Sequence, residues 1–452
     1  MTCPRTGFGT NAAWLAASGT SHHHPLLPFC PQLSKKYGPV FTIHLGPWRR
    51  VVVLVGHDAV REALGGQAEE FSGRGTLATL DKTFDGHGVF FANGERWKQL
   101  RKFTLLALRD LGMGKREGEE LIQAEVQNLV EAFQKTEGRP FNPSMLLAQA
   151  TSNVVCSLIF GIRLPYEGKE FQAVIRAASG TLLGISSPWG QAYEMFSWLL
   201  QPLGGPHRQL QRHLGTLFLT SQLVANISFI AQEKQDLGTE FTEKNLLMTV
   251  TYLLFAGTMT IGATIRYALL LLMKFPQVQQ RVREELIQEL GPGRAPSLSD
   301  RARLPYTDAV LHEAQRLLAL VPMGMPHTVT RTTCFRGYTL PQVGVYLGPD
   351  LSVCLSGPSL QPPTPFSPAS IEKHFGHANT RGRYTLSKRV CLGEGLARAE
   401  LWLFFTAILQ AFSLETPCPP GDLSLQPAIS GLFNIPPDFQ LQVWPTGDQS
   451  TR

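Results

Sequence analysis

Cys391 lies in the stretch SKRVCLGEG, residues 387–395, directly before an apolar helical pattern. A helix that begins just after the cysteine directs its first N–H groups and its positive end toward the sulfur, and Arg389 adds a cation. Both features favour the thiolate over the thiol. Gly393 and Gly395 allow something flat and bulky to approach the backbone closely. The pattern therefore suits a thiolate ligand of haem iron, and a packed, unreactive cysteine is the alternative.

Hydrogen-bond donors that suit carboxylates occur in two other stretches. In ERWKQLR, Trp97 and Arg101 are four residues apart, so an indole N–H and a guanidinium lie on one helix face. In MPHTVTR, His327 offers an imidazole as a further donor. Taken alone, each stretch is more typical of a structural contact than of a ligand site.

A carboxylate and a guanidinium lie three residues apart in HEAQR. Glu313 and Arg316 would therefore be neighbours on a helix surface. Such a pair is usually a surface salt bridge worth under about 1 kcal/mol. A buried ion pair that acts as a clamp is the alternative, and the spacing alone does not choose between them.

The longest apolar stretch runs over 245–273, and 245–265 contains no charged residue. Its length would allow a membrane span, but its threonines and Tyr252 are polar for lipid, so we predict a helix through a soluble core. Within it, Thr260 would hydrogen-bond to a carbonyl one turn earlier, and Gly257 would weaken the helix. A local opening there would make room for a small molecule; an ordinary helix threonine is the alternative.

The remaining elements follow from local patterns. Runs rich in β-branched residues at 40–45 and 51–55 flank a turn and predict a hairpin. The segment 342–370, rich in Pro, Ser and Gly, predicts a loop. Apolar residues at helical spacing predict helices over 116–135, 276–290 and 392–412.

Composition and charge exclude several classes of protein. The 452 residues are 43% hydrophobic and 17% charged, so the chain can bury a large core. A net charge of +6 without a dominant basic run favours acidic partners or an anionic membrane surface and does not indicate nucleic-acid binding. The seven cysteines are scattered and form no CxxC pair, so we expect neither a disulfide framework nor a structural zinc site.

The N-terminal residues 1–36 contain no apolar run of the roughly 20 residues that a membrane span needs, and no signal-peptide core. We expect an irregular N-terminal segment without a membrane anchor. A single domain over 37–446 follows, and it includes a divergent loop at 342–386.

The motifs, taken together and in this order, resemble the cytochrome P-450 family, specifically the microsomal family 2 enzymes of animals. The resemblance runs from KKYGPVFTIHLG to PPDFQLQVWP and so covers most of the chain. It is carried by Trp97-x-x-x-Arg101, FAGTMT at 255–260, Glu313-x-x-Arg316, Pro326-His327, FRGYTLP at 335–341 and Arg389-x-Cys391-x-Gly393.

The resemblance implies a mainly α-helical fold with small β-sheets around one haem. Cys391 would be the axial thiolate, and Ala256 and Gly257 would belong to the helix that crosses the distal face of the haem. Glu313 and Arg316 would be the buried clamp that fixes the proximal loop. The residues implied to hold the two haem propionates are Trp97, Arg101, His327 and Arg389.

The implied activity is that of a haem-thiolate monooxygenase, which inserts one oxygen atom from O2 into lipophilic small molecules such as xenobiotics, fatty acids or steroids. Thr260 would steer protons in this reaction. Electrons would come from NADPH through a flavoprotein reductase that docks on the thiolate side. The aromatic residues expected at the apolar pocket are Phe84, Phe90, Phe91 and Phe255, and the basic residues expected at the reductase surface are Arg96, Lys98, Lys102, Lys388 and Arg398.

The resemblance also implies a location at the endoplasmic reticulum membrane, on its cytoplasmic face, with peripheral membrane contact. Because residues 1–36 show no anchor, a cytoplasmic or merely peripheral location is the alternative.

Several departures from the family pattern favour a second hypothesis. Met259 precedes Thr260 where the family usually has an acidic residue, and a thioether cannot relay protons. Tyr384 and Ser387 replace the usual Phe and Gly of the haem loop, and serine adopts a glycine turn conformation only with strain. Residues 342–386 barely match the family. The alternative function is thus a divergent or decayed family member that binds haem poorly or lacks turnover.

Overall fold

The computed structural model describes residues 33–45, 49–228, 240–291, 293–322, 324–342, 345–347 and 387–446. Most of the predicted N-terminal segment, most of the predicted divergent loop and Tyr384 lie outside these ranges. Within them the chain is mainly α-helical with small β-sheets, which confirms the predicted fold class.

Helices form most of the described structure. In chain order they are α1 His57–Arg61, α2 Ala78–Phe84, α3 Gly88–Phe91, α4 Gly94–Asp110, α5 Arg116–Gln134, α6 Ser144–Phe160, α7 Lys169–Ser186, α8 Pro188–Leu200, α9 Pro206–Ser228, α10 Glu243–Lys274, α11 Pro276–Leu290, α12 Pro305–Leu318 and α13 Glu394–Ala411. A π-helical turn, Glu62–Gly66, and the 3-10 turns Leu298–Arg303 and Pro420–Asp422 complete them.

The strands form one larger sheet and three small ones. They are β1 Val40–Leu45, β2 Arg49–Leu54, β3 Gly73–Arg74, β4 His327–Thr328, β5 Thr333–Phe335, β6 Tyr338–Leu340, β7 Val345–Leu347, β8 Phe412–Glu415, β9 Ile429–Ser430, β10 Asn434–Ile435 and β11 Gln442–Pro445. The larger sheet has the order β1-β2-β7-β4-β3, and the two-stranded sheets pair β5 with β6, β8 with β11 and β9 with β10. The antiparallel pairing of β1 with β2 confirms the predicted hairpin.

Local sequence signals set the ends of helix α11. Pro276 occupies the first turn, where its missing N–H costs no helical hydrogen bond, and Gly291 ends the helix at φ +71°. Val278, Val282 and Leu286 form the buried face and are fully inaccessible to solvent. Burial of each such side chain stabilises the fold by roughly 1.5–3 kcal/mol.

Helix α10 is the central element of the core. It is long and apolar enough to cross a membrane, but it packs against α3, α6, α12 and α13, and most of its residues are buried. This confirms the predicted helix through a soluble core. The side chain of Thr242 caps the first turn by accepting a hydrogen bond from the backbone N–H of Asn245 at 3.2 Å.

The predicted opening of α10 at Gly257 is not seen, because the helix is continuous through this position. Gly257 instead lets α10 approach α6 closely. A Cβ atom at Gly257 would lie 2.5 Å from Cγ2 of Val155. Nearby, the hydroxyl of Thr151 donates to the carbonyl of Thr258 across the same helix pair at 2.9 Å.

One cysteine differs from its expected state. Cys334, on β5, forms a disulfide, whereas Cys156, Cys391 and Cys418 are free. The sequence argued only against a disulfide framework, and spacing along the chain does not report which segments the fold brings together, so a single disulfide at Cys334 was not predicted.

Candidate active site

A cavity of about 600 Å³ lies between α10 and the loop that carries Cys391. The sequence-predicted haem-site residues, which span nearly three hundred positions of the chain, all line it. They are Trp97, Arg101, Ala256, Gly257, Thr260, His327, Arg389 and Cys391. The predicted clamp residue Arg316 also reaches this cavity.

Cys391 is exposed and lines the cavity just before helix α13 begins at Glu394. Although Cys391 opens into the cavity, the protein around that cavity desolvates its sulfur and so raises the pKa of the thiol, whereas the backbone N–H of Gly393 and the charge of Arg101 act to lower it. Arg101 is thus a cation that acts on this thiol, and stabilisation of the thiolate by Arg389 stays a prediction. Arg101 also donates to the carbonyl of Val390 at 2.7 Å and so fixes the residue before the cysteine.

The guanidinium of Arg389 is held by acceptors from other segments of the chain. Its Nε donates to the carbonyl of Ser72 at 2.8 Å, and its Nη2 donates to the carbonyl of Ala92 at 2.7 Å and to Oδ1 of Asn93 at 2.9 Å. The same group lies over the ring of Trp97, 4.1 Å from the ring centroid, in cation–π contact. Arg389 and Trp97 thus form one wall of the cavity.

Arg74 is a site residue that the sequence reasoning missed. It is buried on β3 and lines the cavity, and its guanidinium donates to the carbonyls of Phe90 at 3.2 Å and Pro326 at 3.4 Å. Oδ1 of Asn93 accepts from the backbone N–H of Arg74 at 2.7 Å, so one amide orients both Arg74 and Arg389. The only local signal was the pair of glycines on either side of Arg74.

Arg74, Arg101 and Arg389 concentrate positive charge at the cavity, and among the described residues none of the three forms a salt bridge. Burial, followed by the charges of the other two arginines, lowers the pKa of Arg389 to about 8. Burial is also the main reason that the pKa of Arg74 falls to about 10. Two carboxylates placed among these guanidinium groups would neutralise them through charge-assisted hydrogen bonds. The residues present therefore fit the two propionates of a haem, for which Cys391 would supply a thiolate ligand.

His327 lines the cavity, and its predicted role as a propionate donor stays a prediction. Its Nδ1 lies 2.8 Å from the carbonyl oxygen of Phe71, which can only accept, so Nδ1 carries the proton. Burial, together with Arg74 and Arg389, lowers the pKa of His327 to about 3, so the ring is neutral and Nε2 has no proton to donate. Carboxylates bound beside these arginines would offset their charge and favour the imidazolium form.

Glu313 and Arg316 on α12 form a buried ion pair. Nε and Nη2 of Arg316 each donate to one carboxylate oxygen at 2.7 Å. The side chains are 0% and 10% exposed, respectively, so the surface-bridge alternative is wrong. Their predicted role in fixing the loop around Cys391 stays a prediction.

Thr260 and Met259 lie on the cavity side of α10. The hydroxyl of Thr260 donates to the carbonyl of Ala256 at 2.8 Å, one turn earlier, as expected from its position. The sulfur of Met259 is buried and accepts a hydrogen bond from the hydroxyl of Ser179 on α7 at 3.5 Å. No described carboxylate occupies the position beside Thr260.

The aromatic residues before α4 do not all reach the cavity. Phe90 lines it together with Tyr252 and Phe255 of α10, and the rings of Phe90 and Tyr252 stack with centroids 3.9 Å apart. Phe84 and Phe91 stack on each other at 4.8 Å but are buried in the core, so the expectation that they line the pocket is wrong. Their rings instead pack against Tyr252 and, for Phe91, against Phe90, which line the cavity.

The predicted basic docking surface is largely ion-paired. Lys102 is exposed on α4, and no carboxylate is recorded against it among the described residues. The pairs formed by the other basic residues are Lys98–Glu95 at 2.7 Å, Arg96–Glu240 at 2.7 Å, Lys388–Glu69 at 2.8 Å and Arg398–Glu394 at 2.7 Å. The surface therefore carries less net positive charge than a count of its cations indicates.

In this helical fold, a cysteine thiol and three arginines line the same cavity. This combination is typical of a haem-thiolate protein. The family description "Cytochrome P450" matches residues 11–349 and 387–443, and the chain belongs to that family. The unmatched 350–386 falls within the segment expected to diverge.

The relatives place the chain beside family 2 members. It is 80% identical to cytochrome P450 2S1 of Mus musculus over 442 residues, which cover 93% of this chain and 88% of the relative. It is 67% identical to cytochrome P450 2S1 of Homo sapiens, with the same coverage, and 44% identical to cytochrome P450 2B4 of Oryctolagus cuniculus, with 91% and 88% covered. The recognised family is thereby confirmed, and with it the general class of haem-thiolate monooxygenase.

Proposed function

We propose that this protein is an NADPH- and reductase-dependent monooxygenase that inserts one oxygen atom from O2 into lipophilic small molecules. The observation that carries the proposal is the cluster of Arg74, Arg101 and Arg389 that lines the same cavity as Cys391. Haem, when bound, supplies the oxidation chemistry. Cys391 would provide the thiolate ligand, and the arginines with Trp97 would hold the propionates.

The residues of the chain contribute orientation and exclusion of water. Phe90, Tyr252 and Phe255 give the cavity an apolar wall that favours lipophilic substrates over polar ones. The hydroxyl of Thr260 can hold a proton at the cavity face of α10, where its hydrogen bond to Ala256 orients it. The wall suits xenobiotics, fatty acids and steroids alike.

A second candidate function is supported by Met259, which offers no ionisable group where proton delivery is expected. In that case the protein would hold haem but turn over poorly or not at all. The two candidates are separated by incubating haem-loaded protein with a flavoprotein reductase, NADPH and a panel of lipophilic substrates. The monooxygenase proposal predicts a product that gains one oxygen atom and requires NADPH. NADPH oxidation without product from any substrate would support the second candidate.

The reductase is proposed to dock on the face that carries Lys98 and Lys102. Lys98 is paired with Glu95, so Lys98→Glu also breaks that ion pair. Lys102→Glu changes the charge of the surface without breaking a described ion pair. Lys102→Glu should slow the first electron transfer at low salt more than Lys98→Glu does, with haem binding unchanged. Lys169→Glu on α7, an exposed lysine on another helix, is the matched control. Equal rates in the Lys102 and Lys169 variants would place the docking face elsewhere.

Peripheral contact with the endoplasmic reticulum membrane is proposed at the end of α8 and the segment after it. Trp198, Leu199 and Leu203 are 60%, 49% and 52% exposed, and Arg208 and Arg212 are exposed on the following helix. An aromatic and aliphatic patch beside arginines suits an anionic phospholipid surface.

Vesicle binding tests this membrane contact. The double variant Trp198→Ser with Leu199→Ser should sediment less with vesicles of mixed zwitterionic and anionic phospholipid than the parent does. Leu106→Ser, which removes an equally exposed leucine from α4, should bind as the parent does. Binding that is unchanged by the double variant would contradict the proposed surface.

A further inference from the structure

Glu194 on α8 connects that helix to the start of α2. One carboxylate oxygen accepts from the backbone N–H of Ala78 at 2.7 Å, and the other accepts from the backbone N–H of Thr79 at 2.9 Å. The hydroxyl of Thr79 donates to the same carboxylate. A single side chain thus receives three hydrogen bonds from a segment more than a hundred positions away.

The start of α2 has no cap of its own. The residue before the helix is Leu77, whose side chain cannot accept a hydrogen bond, and the first backbone N–H groups of a helix have no partner within it. Glu194 satisfies the N–H groups of Ala78 and Thr79. The position of α2 against α8 therefore depends on this carboxylate.

The other end of α2 supports the aromatic wall of the cavity. Phe84, the last residue of the helix, stacks on Phe91 at 4.8 Å and meets the edge of Tyr252 at 6.0 Å. Tyr252 in turn stacks on Phe90 at 3.9 Å, and both rings line the cavity. Displacement of α2 would remove the support behind these two rings.

The neighbouring helix α3 is held differently. The N–H groups of Gly88 and Val89 donate at 3.1 Å to Asn245 and Thr249, which are buried on α10. A Cβ atom at Gly88 would lie 2.9 Å from Cβ of Met248, so α3 also packs tightly on that helix. The core holds both short helices, since Leu80 and Phe84 of α2 are buried in it, but the start of α2 is joined to α8 by the partly exposed Glu194.

We propose that Glu194 is a positioning residue that sets the shape of the aromatic wall and so determines how tightly the cavity holds bulky lipophilic ligands. The ligand half of this proposal rests on the proposed function. The contact between Glu194 and α2 does not, and it can be tested without haem.

Hydrogen exchange tests the contact. In Glu194→Ala, the amides of Ala78 and Thr79 should exchange at least about tenfold faster, since a charge-assisted hydrogen bond of this kind is lost. Glu194→Gln, which keeps one carbonyl acceptor, should show an intermediate effect. Glu170→Ala on α7, which removes an exposed carboxylate, should leave both amides unchanged. The amides of α3 should stay protected in every variant.

Ligand release tests the consequence for the wall. In haem-loaded Glu194→Ala, 4-phenylimidazole should dissociate about tenfold faster than from the parent, a change of about 1.4 kcal/mol. Imidazole, too small to need the wall, should dissociate within about twofold of the parental rate. Glu170→Ala should match the parent with both ligands.

The outcomes separate this inference from the proposed function. Unchanged exchange at Ala78 and Thr79 would overturn the contact, and faster exchange with unchanged release of 4-phenylimidazole would overturn its effect on the wall. A parent protein that takes up no haem would contradict the proposed function instead. In that case the haem-free chain decides the inference. We expect the amides of residues 80–84 in Glu194→Ala to exchange faster as well. Faster exchange that stops at Thr79 would overturn the inference.

Discussion

Replacing Arg316 by alanine should strongly destabilise the protein. Glu313 has no exposed side-chain surface and receives two hydrogen bonds of 2.7 Å from Arg316. Removing the guanidinium leaves a carboxylate in a site that water does not reach, and its desolvation is no longer offset by this partner. Breaking such a buried pair costs about 3–5 kcal/mol.

The surface pair Arg116–Glu120 on α5 provides the matched control. Its atoms are 2.8 Å apart, but the side chains are 89% and 56% exposed, so Arg116→Ala should cost under about 1 kcal/mol. Removing both buried partners together, as Glu313→Met with Arg316→Met, should recover part of the loss because neither member of the pair is left buried without the other.

Urea unfolding, followed by circular dichroism and by the haem absorbance, measures the difference. With a slope of about 3 kcal/mol per molar urea, the midpoint of Arg316→Ala should fall by roughly 1 M or more, and haem should be released at the same concentration. A midpoint no lower than that of Arg116→Ala would refute the buried-clamp reasoning.

Three further expectations concern the cavity and its helices. Met259→Glu should increase the product formed per NADPH consumed, by restoring an ionisable group next to the proton-steering hydroxyl; equal coupling in variant and parent would remove this role. Gly257→Ala should destabilise the fold because its Cβ would lie 2.5 Å from Val155, and Val155→Ala should rescue it; no rescue would show another cause. Iodoacetamide at pH 8 should modify Cys391 in haem-free protein much faster than Cys156, whose pKa burial raises to about 12, and bound haem should block the reaction, as peptide mapping would show.

Features that depend on neighbouring residues in the chain were predictable from the sequence. Pro276 and Gly291 set the ends of α11 through their own backbone restrictions, and the three-residue spacing of Glu313 and Arg316 made them neighbours on a helix. The burial of that pair was not readable, because it depends on packing by other helices.

Features that depend on distant segments were missed or misassigned. Local spacing related Arg389 only to the cysteine two residues away, yet its hydrogen-bond partners Ser72 and Ala92 lie about three hundred positions earlier. Arg74 lies far along the chain from the loop that carries Cys391, so no local motif links the two. It is buried where β3 pairs with β4. Short-range patterns carry no information on such contacts.

The spectrum of the reduced protein with carbon monoxide tests the central claim most directly, because it reports whether a thiolate holds the haem. We expect a red-shifted Soret band in the parent. In Cys391→Ser we expect that band to be lost, with some haem retained through the arginines opposite. A band at the unshifted position in the parent, or a red-shifted band that persists in Cys391→Ser, would contradict the assignment of Cys391 as the ligand.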